Sequence, residues 1–533
     1  IWRTAFSVVV GEALDFACEI LDTQGRVIAT AWESMPTFNF ALPNTVKAVL
    51  KRFPLESLEE GDVIFTNDPW LCAGHLFDIA ALTPVFNRDG KPVAIMGSVA
   101  NVADIGGTRA RHTAREVYDE GLFIPPLKLY RAGELNEQLV EIIENNVRLP
   151  SMALGDIHAM VSANALGAER VKAFLDTYGL DTLDGLAEEI FCRSERAMRD
   201  AISAVPDGVY EAEQWCDGVE EPFRFRLQVE VNGDAVAVDL LDVPEQFPYG
   251  GTNVTLSILV ADITYLLKCI FTPQVPANDG DFRPMTVRAP KGSVLNCKRP
   301  ASVGQRVRTL WTVPPALMRA LAPVLPDNVQ AHTGFPAMFK TYGYTSKGEA
   351  FSDHLFQGGG QGASSRRDGD HTLLFPTSAR NVSVEMFEMR TGFLVEEKEF
   401  IPDSGGPGKF RGAPGQRVTI RRRPRESGGK YQIGIWPTGL RTDTPGPFGG
   451  QAGSRMRLFT VAEPGEPAVD HFGSRGIFVE MDEKLRITLE LPGGAGFGEP
   501  RERAPEAIRR DIEEGIVTPE GARAQYVWED QAE

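Results

Sequence analysis

His75 and Asp78 stand three residues apart, directly after the turn-forming run Asn67-Asp68-Pro69 and the small pair Ala73-Gly74. An imidazole and a carboxylate carried by one short loop suit a general base or a pair of ligands to a divalent cation. A second polar pair, Asn101 and Asp104, ends the β-rich apolar run VAIMGSVANVADIGG just before Gly106-Gly107, where the backbone can turn tightly and approach a ligand. If the two halves pair as neighbouring strands, both sets of polar groups arrive at one end of a sheet. Imidazole nitrogen with carboxylate oxygen suits Zn²⁺ or Mn²⁺ better than an oxygen-only cage. An ordinary hydrogen-bonded loop histidine with turn-capping aspartates explains the spacing as well, so both readings stay open on spacing alone.

The elements that must position these groups are legible around them. ACEILD, the TQGR turn and VIAT read as a hairpin with Asp15 just before its first strand, and the turn NRDGKP separates the two apolar runs of the candidate site. A helix-compatible stretch runs from Pro43 to Phe53. The turn-rich, charged segment from Asp104 to Pro126 is a candidate lid or substrate contact. From Asn136 to Tyr178 the apolar residues recur at helical period, a further helix covers Thr182 to Val205, and Thr255 to Phe271 reads as a buried helix. Asn232-Gly233 marks a hairpin tip. The chain from Phe410 to Leu491 alternates like an antiparallel sheet, and a short helix from Pro505 to Glu514 closes the fold. The expected class is α+β, in four segments: a sheet-based part over 1–135 with the candidate site, a helical part over 136–208, a central α+β part over 209–400 and a β-rich part over 401–533.

Composition narrows the function. With 533 residues, 42% hydrophobic and 24% charged, the chain is an ordinary globular protein whose apolar runs are too short or too interrupted to span a bilayer. A net charge of -18 opposes nucleic-acid and anionic membrane surfaces. On the same ground, Arg421 to Arg425 read as a solvated strand face. Six cysteines without CxxC spacing read as reduced, mostly buried thiols of a cytoplasmic protein. A start at Ile1 without a signal-type segment points to missing residues at the front rather than an export signal. No phosphate loop is found. GGGQG at Gly358 to Gly362 reads as a flexible turn rather than an anion cradle, and in DSGGPGKF Phe410 stands where a Mg²⁺-binding hydroxyl would be needed.

The order of these segments resembles the hydantoinase B family, which includes N-methylhydantoinase B subunits, the matching half of 5-oxoprolinase, and the α-type subunits of acetone and acetophenone carboxylases. The resemblance rests on DFACEILDTQGRVIA from Asp15, FTNDPWLCAGHLFDIAALTPVF from Phe65, ADIGG from Ala103 and EVYDEGLFIPPLKLYRAGELNE from Glu116. It continues in VPANDGDFRPMTVRAPKGSVLN from Val275, DSGGPGKFRGAPG from Asp403 and GGAGFGEPRERAPE from Gly493.

That resemblance implies a cytoplasmic enzyme subunit in a hetero-oligomer with a separate ATP-binding A subunit of the actin-like type. ATP with Mg²⁺ would act through the partner. The substrate would be a cyclic amide such as a hydantoin, 5-oxoproline or another lactam. By motif match, Asp15, His75 and Asp78 fall on the family's metal-binding positions, with His75 and Asp78 as the catalytic pair. The family places one or two histidines just before the ADIGG-like motif, where this chain has Asn101 and Val102. An amide oxygen is a harder, neutral donor, so Asn101 as the fourth ligand weakens Zn²⁺ selectivity and favours Mn²⁺ or Mg²⁺, or leaves the site empty. The alternatives are ATP-dependent carboxylation of a ketone and a metal-free subunit that only scaffolds its partner.

Overall fold

In the computed structural model, residues 1–345, 347–370, 372–377, 379–424, 429–472, 476–526 and 528 are described. Of the basic cluster, Arg425 lies outside them. The fold is α+β and divides into two compact units, one of residues 1–209 and 230–310, the other of residues 210–229 and 311–533.

The first unit begins with a short helix, α1 (Val8–Gly11), and the expected hairpin, β1 (Phe16–Leu21) and β2 (Val27–Thr30). Helix α2 (Pro36–Arg52) starts seven residues before the predicted Pro43. Pro36 sits at its first turn, where a missing N–H costs nothing, and Pro43 is carried inside the helix. Strands β3 (Val63–Thr66), β4 (Asp78–Phe86), β5 (Pro92–Asn101), β6 (Leu127–Arg131) and β7 (Glu134–Leu135) complete a seven-stranded antiparallel sheet in the order β2-β1-β5-β4-β3-β6-β7. The helical middle is α3 (Glu137–Asn146), α4 (Pro150–Tyr178) and α5 (Asp184–Ser203), and the buried helix is α6 (Leu256–Phe271).

The sheet is covered on both sides, with α4 packed on β4 and β5, and α2 packed on β1, β4 and β5 and in turn on α6. All nine residues of β4 are therefore buried, which is why this strand reads as a continuous apolar run rather than an alternating one. Gly97 in β5 lets α2 close in, since a Cβ there would meet Leu42 Cδ2 at 2.5 Å.

Among its described residues the second unit holds a short antiparallel pair, 359–360 with 372–373, and two larger antiparallel sheets. One joins strands 337–344, 350–357, 430–435 and 477–480, and the other joins 393–400, 416–422, 457–461, 469–470 and 486–490. The expected helix at the C-terminal end spans Pro505–Glu513, and a second, Pro519–Gln525, follows it. Arg411 and Arg503 pin the first of these through buried contacts with Asp511.

The glycine motifs differ from their sequence reading. Gly358–Gly360 and Gly362 are buried backbone packed among other backbones, not a flexible turn. Segments 331–334, 358–363, 404–415, 446–453 and 492–498 run alongside one another and exchange main-chain hydrogen bonds. Gly360 N–H donates to Pro492 O at 2.9 Å, Ala413 N–H to Gln361 O at 2.8 Å, Gly406 N–H to Gly494 O at 2.7 Å and Gln451 N–H to Pro407 O at 2.8 Å. A Cβ at Gly360, Gly406, Gly412 or Gly494 would strike a neighbouring carbonyl. Here glycine permits close approach of backbones rather than turning.

Six cysteines are free of disulfides. Cys72, Cys216 and Cys297 are buried, Cys18 is half-buried, and Cys192 and Cys269 are exposed. Among the described residues no helix is long and apolar enough to cross a membrane.

Candidate active site

Strand register assembles the site. β4 begins at Asp78 and β5 ends at Asn101, and the two residues face each other as partners in the ladder. β1 enters alongside with Phe16 opposite Ala100, and the Asn101 N–H donates to Asp15 O at 3.1 Å. The apolar runs thus carry Asp15, Asp78 and Asn101 to one end of three adjacent strands.

The loop before β4 brings His75 to the same end. Asn67 locks it, its Nδ2 donating to Leu76 O at 2.8 Å and to Leu122 O at 2.9 Å while its Oδ1 accepts from the Ile124 N–H at 2.7 Å. Gly74, at φ +96°, supplies the left-handed backbone and leaves room for a side chain against it.

His75 Nδ1 lies 3.0 Å from Asp78 Oδ2. The Asn101 amide donates to Asp78 Oδ1 at 3.2 Å and approaches His75 Nε2 at 3.4 Å. Both contacts of the imidazole select the tautomer with its proton on Nδ1, an assignment made from the surrounding network. Asp78 is fully buried, and Asp15, His75 and Asn101 are nearly so. Asn101 Oδ1 is a buried acceptor with no hydrogen-bond donor among the described residues.

A cation completes this arrangement. Arg306, 5% exposed, places Nη2 3.0 Å from Asp78 Oδ2. Burial pulls its guanidinium down from its usual range, and the charges of Asp78, Asp15 and Asp262 oppose that pull. Asp262 lies within α6, the helix read from sequence as apolar. Burial pushes its carboxyl up to about 8 against the field of Arg306.

Glu120 holds the turn that carries Arg306. Its carboxylate accepts from the Val303 N–H at 2.9 and 3.0 Å and from the Gly304 N–H at 2.7 Å, and the Arg306 N–H closes the turn on Val303 O at 3.0 Å. Burial pushes the Glu120 carboxyl up to about 7 even though these N–H groups and Arg111 favour its charged form.

The structure therefore brings together His75, Asp78 and Asn101, and sets Asp15 beside Asn101 through the main chain. Asp104 stays apart. It accepts from Arg148 Nη1 at 3.0 Å, and Arg148 also reaches Gly107 O, so this carboxylate orients the Gly106-Gly107 turn. Among the described residues no group of three or more His, Cys, Asp or Glu side chains is placed to hold one metal ion. In the segment proposed as a lid, the Arg111 guanidinium sits 3.9 Å over the Phe77 ring, which meets His75 edge-on at 5.7 Å between centroids. Sequence reasoning missed Arg306, Asp262 and Glu120. The only signal was Asp262, a lone acid in an otherwise apolar helical run.

Residues 1–500 match the family described as Hydantoinase B/oxoprolinase. A protein of Pseudomonas sp. (strain NS671), named as the B component of a D-/L-hydantoinase, is 29% identical over 98% of this chain and 90% of its own length. The crystal structure of the ATP-dependent caprolactamase from Pseudomonas jessenii superposes with a TM-score of 0.90 at 25% identity, covering 100% of this chain and 93% of that one. The nucleotide-free structure of acetone carboxylase shares the fold, with a TM-score of 0.86 at 17% identity over 98% of this chain and 76% of that one.

Proposed function

The chain belongs to the hydantoinase B/oxoprolinase family, and from that membership we propose that it is the B-type subunit of an ATP-dependent cyclic-amide hydrolase. Its substrate is a hydantoin, 5-oxoproline or another lactam, and it works in a cytoplasmic hetero-oligomer with an ATP-binding A-type subunit. The observation that carries this reading is the meeting of His75, Asp78 and Asn101 at one end of β4 and β5.

His75 is the base. With Nδ1 turned to Asp78, its Nε2 presents a lone pair that a water molecule would take over from the Asn101 amide, 3.4 Å away, and Asp78 keeps the ring from rotating. The water proton passes to Nε2 as the oxygen attacks a carbonyl carbon whose oxygen has taken the γ-phosphoryl group of ATP at the partner's site, and inorganic phosphate leaves as the carbonyl re-forms. The imidazolium, held against Asp78, then returns a proton to the departing ring nitrogen. Asn101 steadies Asp78 from the neighbouring strand.

The same residues are also our proposed site for a divalent cation, Mn²⁺ or Zn²⁺. His75, Asp78 and Asn101 would hold it, with Asp15 at the border. Support comes from the donor set, one imidazole with a carboxylate and an amide gathered at one end of β4 and β5. When bound, the cation would supply carbonyl polarisation and a more acidic water, and His75 would then be a ligand rather than the base. The alternative, carboxylation of a ketone, has only likeness of fold behind it.

The test is co-expression with the A-type partner and an assay of ADP release with hydantoin, 5-oxoproline and caprolactam. Turnover of one cyclic amide by the complex, and no ATP hydrolysis by this chain alone, is the expected result. ATP turnover that demands bicarbonate and a ketone would overturn the hydrolase assignment.

A further inference from the structure

Arg306 already occupies the carboxylate that a metal ion would need. Asp78 Oδ2 meets the guanidinium at 3.0 Å and His75 Nδ1 at 3.0 Å, while Oδ1 accepts from Asn101 at 3.2 Å. The arginine is not a surface group that happens to lean inward. Its side chain fills the space beside Gly74, where a Cβ would meet Arg306 Nε at 2.7 Å and Ile258 Cγ2 at 2.8 Å, and Glu120 fastens the turn from which it projects.

We propose that Arg306 is the built-in rival of a divalent cation for Asp78: it neutralises the carboxylate when no metal is present and lowers the site's affinity for Mn²⁺ or Zn²⁺. This rests on the reading that His75, Asp78 and Asn101 form the cation site. Two cations cannot share one carboxylate oxygen at hydrogen-bond distance in a water-poor pocket, where like charges repel far more strongly than in solvent. The imidazole and the amide are neutral donors that can turn away or become ligands. The guanidinium carries the charge that opposes entry, so the metal must displace it from Asp78. Asn101, a weaker donor than imidazole, acts in the same direction. The cation is therefore weakly held and exchangeable, and whatever draws Arg306 from Asp78 tightens it by the same factor that the metal loosens Arg306.

The experiment is calorimetric titration of Mn²⁺, and separately Zn²⁺, into the purified full chain, its Arg306→Met and Arg306→Lys variants, and Glu120→Ala. Arg306→Met should bind Mn²⁺ at least about tenfold more tightly than wild type, a change of the size seen when groups around a metal site are altered. Arg306→Lys, which keeps a charge, should gain less. If Arg306→Met does not fold, Arg306→Lys decides, since it keeps a charged side chain in the pocket and should still bind Mn²⁺ more tightly than wild type, as should any Glu120→Ala protein that folds. Equal binding by wild type and Arg306→Met overturns the rivalry and leaves the cation site standing. Binding by Arg306→Met but not by wild type supports the rivalry and removes the cation from the native site. No binding by any of the proteins at millimolar metal overturns both.

Discussion

Asn101 faces Asp78 across the β4–β5 ladder and donates to its carboxylate from 3.2 Å. The position is held by backbone register, so a side chain placed there must arrive beside Asp78 and His75. Asn101→His should raise Zn²⁺ retention by about tenfold or more, because imidazole is the better ligand for that ion. Plasma mass spectrometry after dialysis reads the metal content. Unchanged content would place Asn101 outside the ligand shell.

His75→Gln should lower turnover of the assembled complex by roughly 10²–10⁴-fold, the usual contribution of a positioned acid or base. The side chain lies in the loop before β4, and glutamine keeps an N–H donor within reach of Asp78, so circular dichroism and the melting temperature should hardly move. Full turnover would remove His75 from the chemistry.

Glu120→Ala leaves the Val303 and Gly304 N–H groups buried without an acceptor. At about 1–3 kcal/mol per orphaned donor, the loss should be several kcal/mol in urea titration. Glu120→Gln keeps an oxygen in reach of both donors and should retain most stability. Equal losses in the two variants would mean that the acceptor geometry is not what matters.

Burial pushes the Asp262 carboxyl up to about 8, well above its ordinary 3.8. Between these limits the folded state holds the extra proton. Stability from this group is full below about pH 4 and is lost as pH rises through 8. Asp262→Asn cannot ionise, so its melting temperature relative to wild type should climb from pH 5 to pH 9. A constant difference across that range would contradict the assignment.

Gly412→Ala drives a methyl into the Gly494 carbonyl inside the backbone bundle. Overpacking of this kind should cost about 3 kcal/mol or more. Gly90→Ala, in open space at φ +72°, should cost only about 1 kcal/mol. Chemical denaturation of the two variants compares them directly, and similar losses would show that the bundle tolerates side chains.

Much of the site was legible because period and turn chemistry are local. Two apolar runs around NRDGKP had to pair, and pairing alone delivered Asp78 and Asn101 to one edge, with Asp15 beside them through the next strand. Arg306 and Glu120 carry no such mark. They are an ordinary arginine in a loop-dense stretch and an acid in a turn, and their roles arise from contacts across the sequence that no periodicity encodes. The glycine motifs were misread for a related reason. Gly-rich runs serve tight turns and close-packed backbones equally, and only the partners of Gly360 and Gly494 tell which.

The glycine bundle also constrains the order in which the second unit can acquire its structure. Segment 331–334 hydrogen-bonds to 358–363 and also to 492–498, so its full pairing waits until residues 492–498 have left the ribosome. Until then, several glycine-rich runs with few large apolar side chains stay open to solvent, and little hydrophobic collapse can hold them together. Residues 492–498 act as the keystone of that unit. A chain cut just before Gly493 loses the closing contacts of every other segment, and the damage reaches well beyond the residues removed.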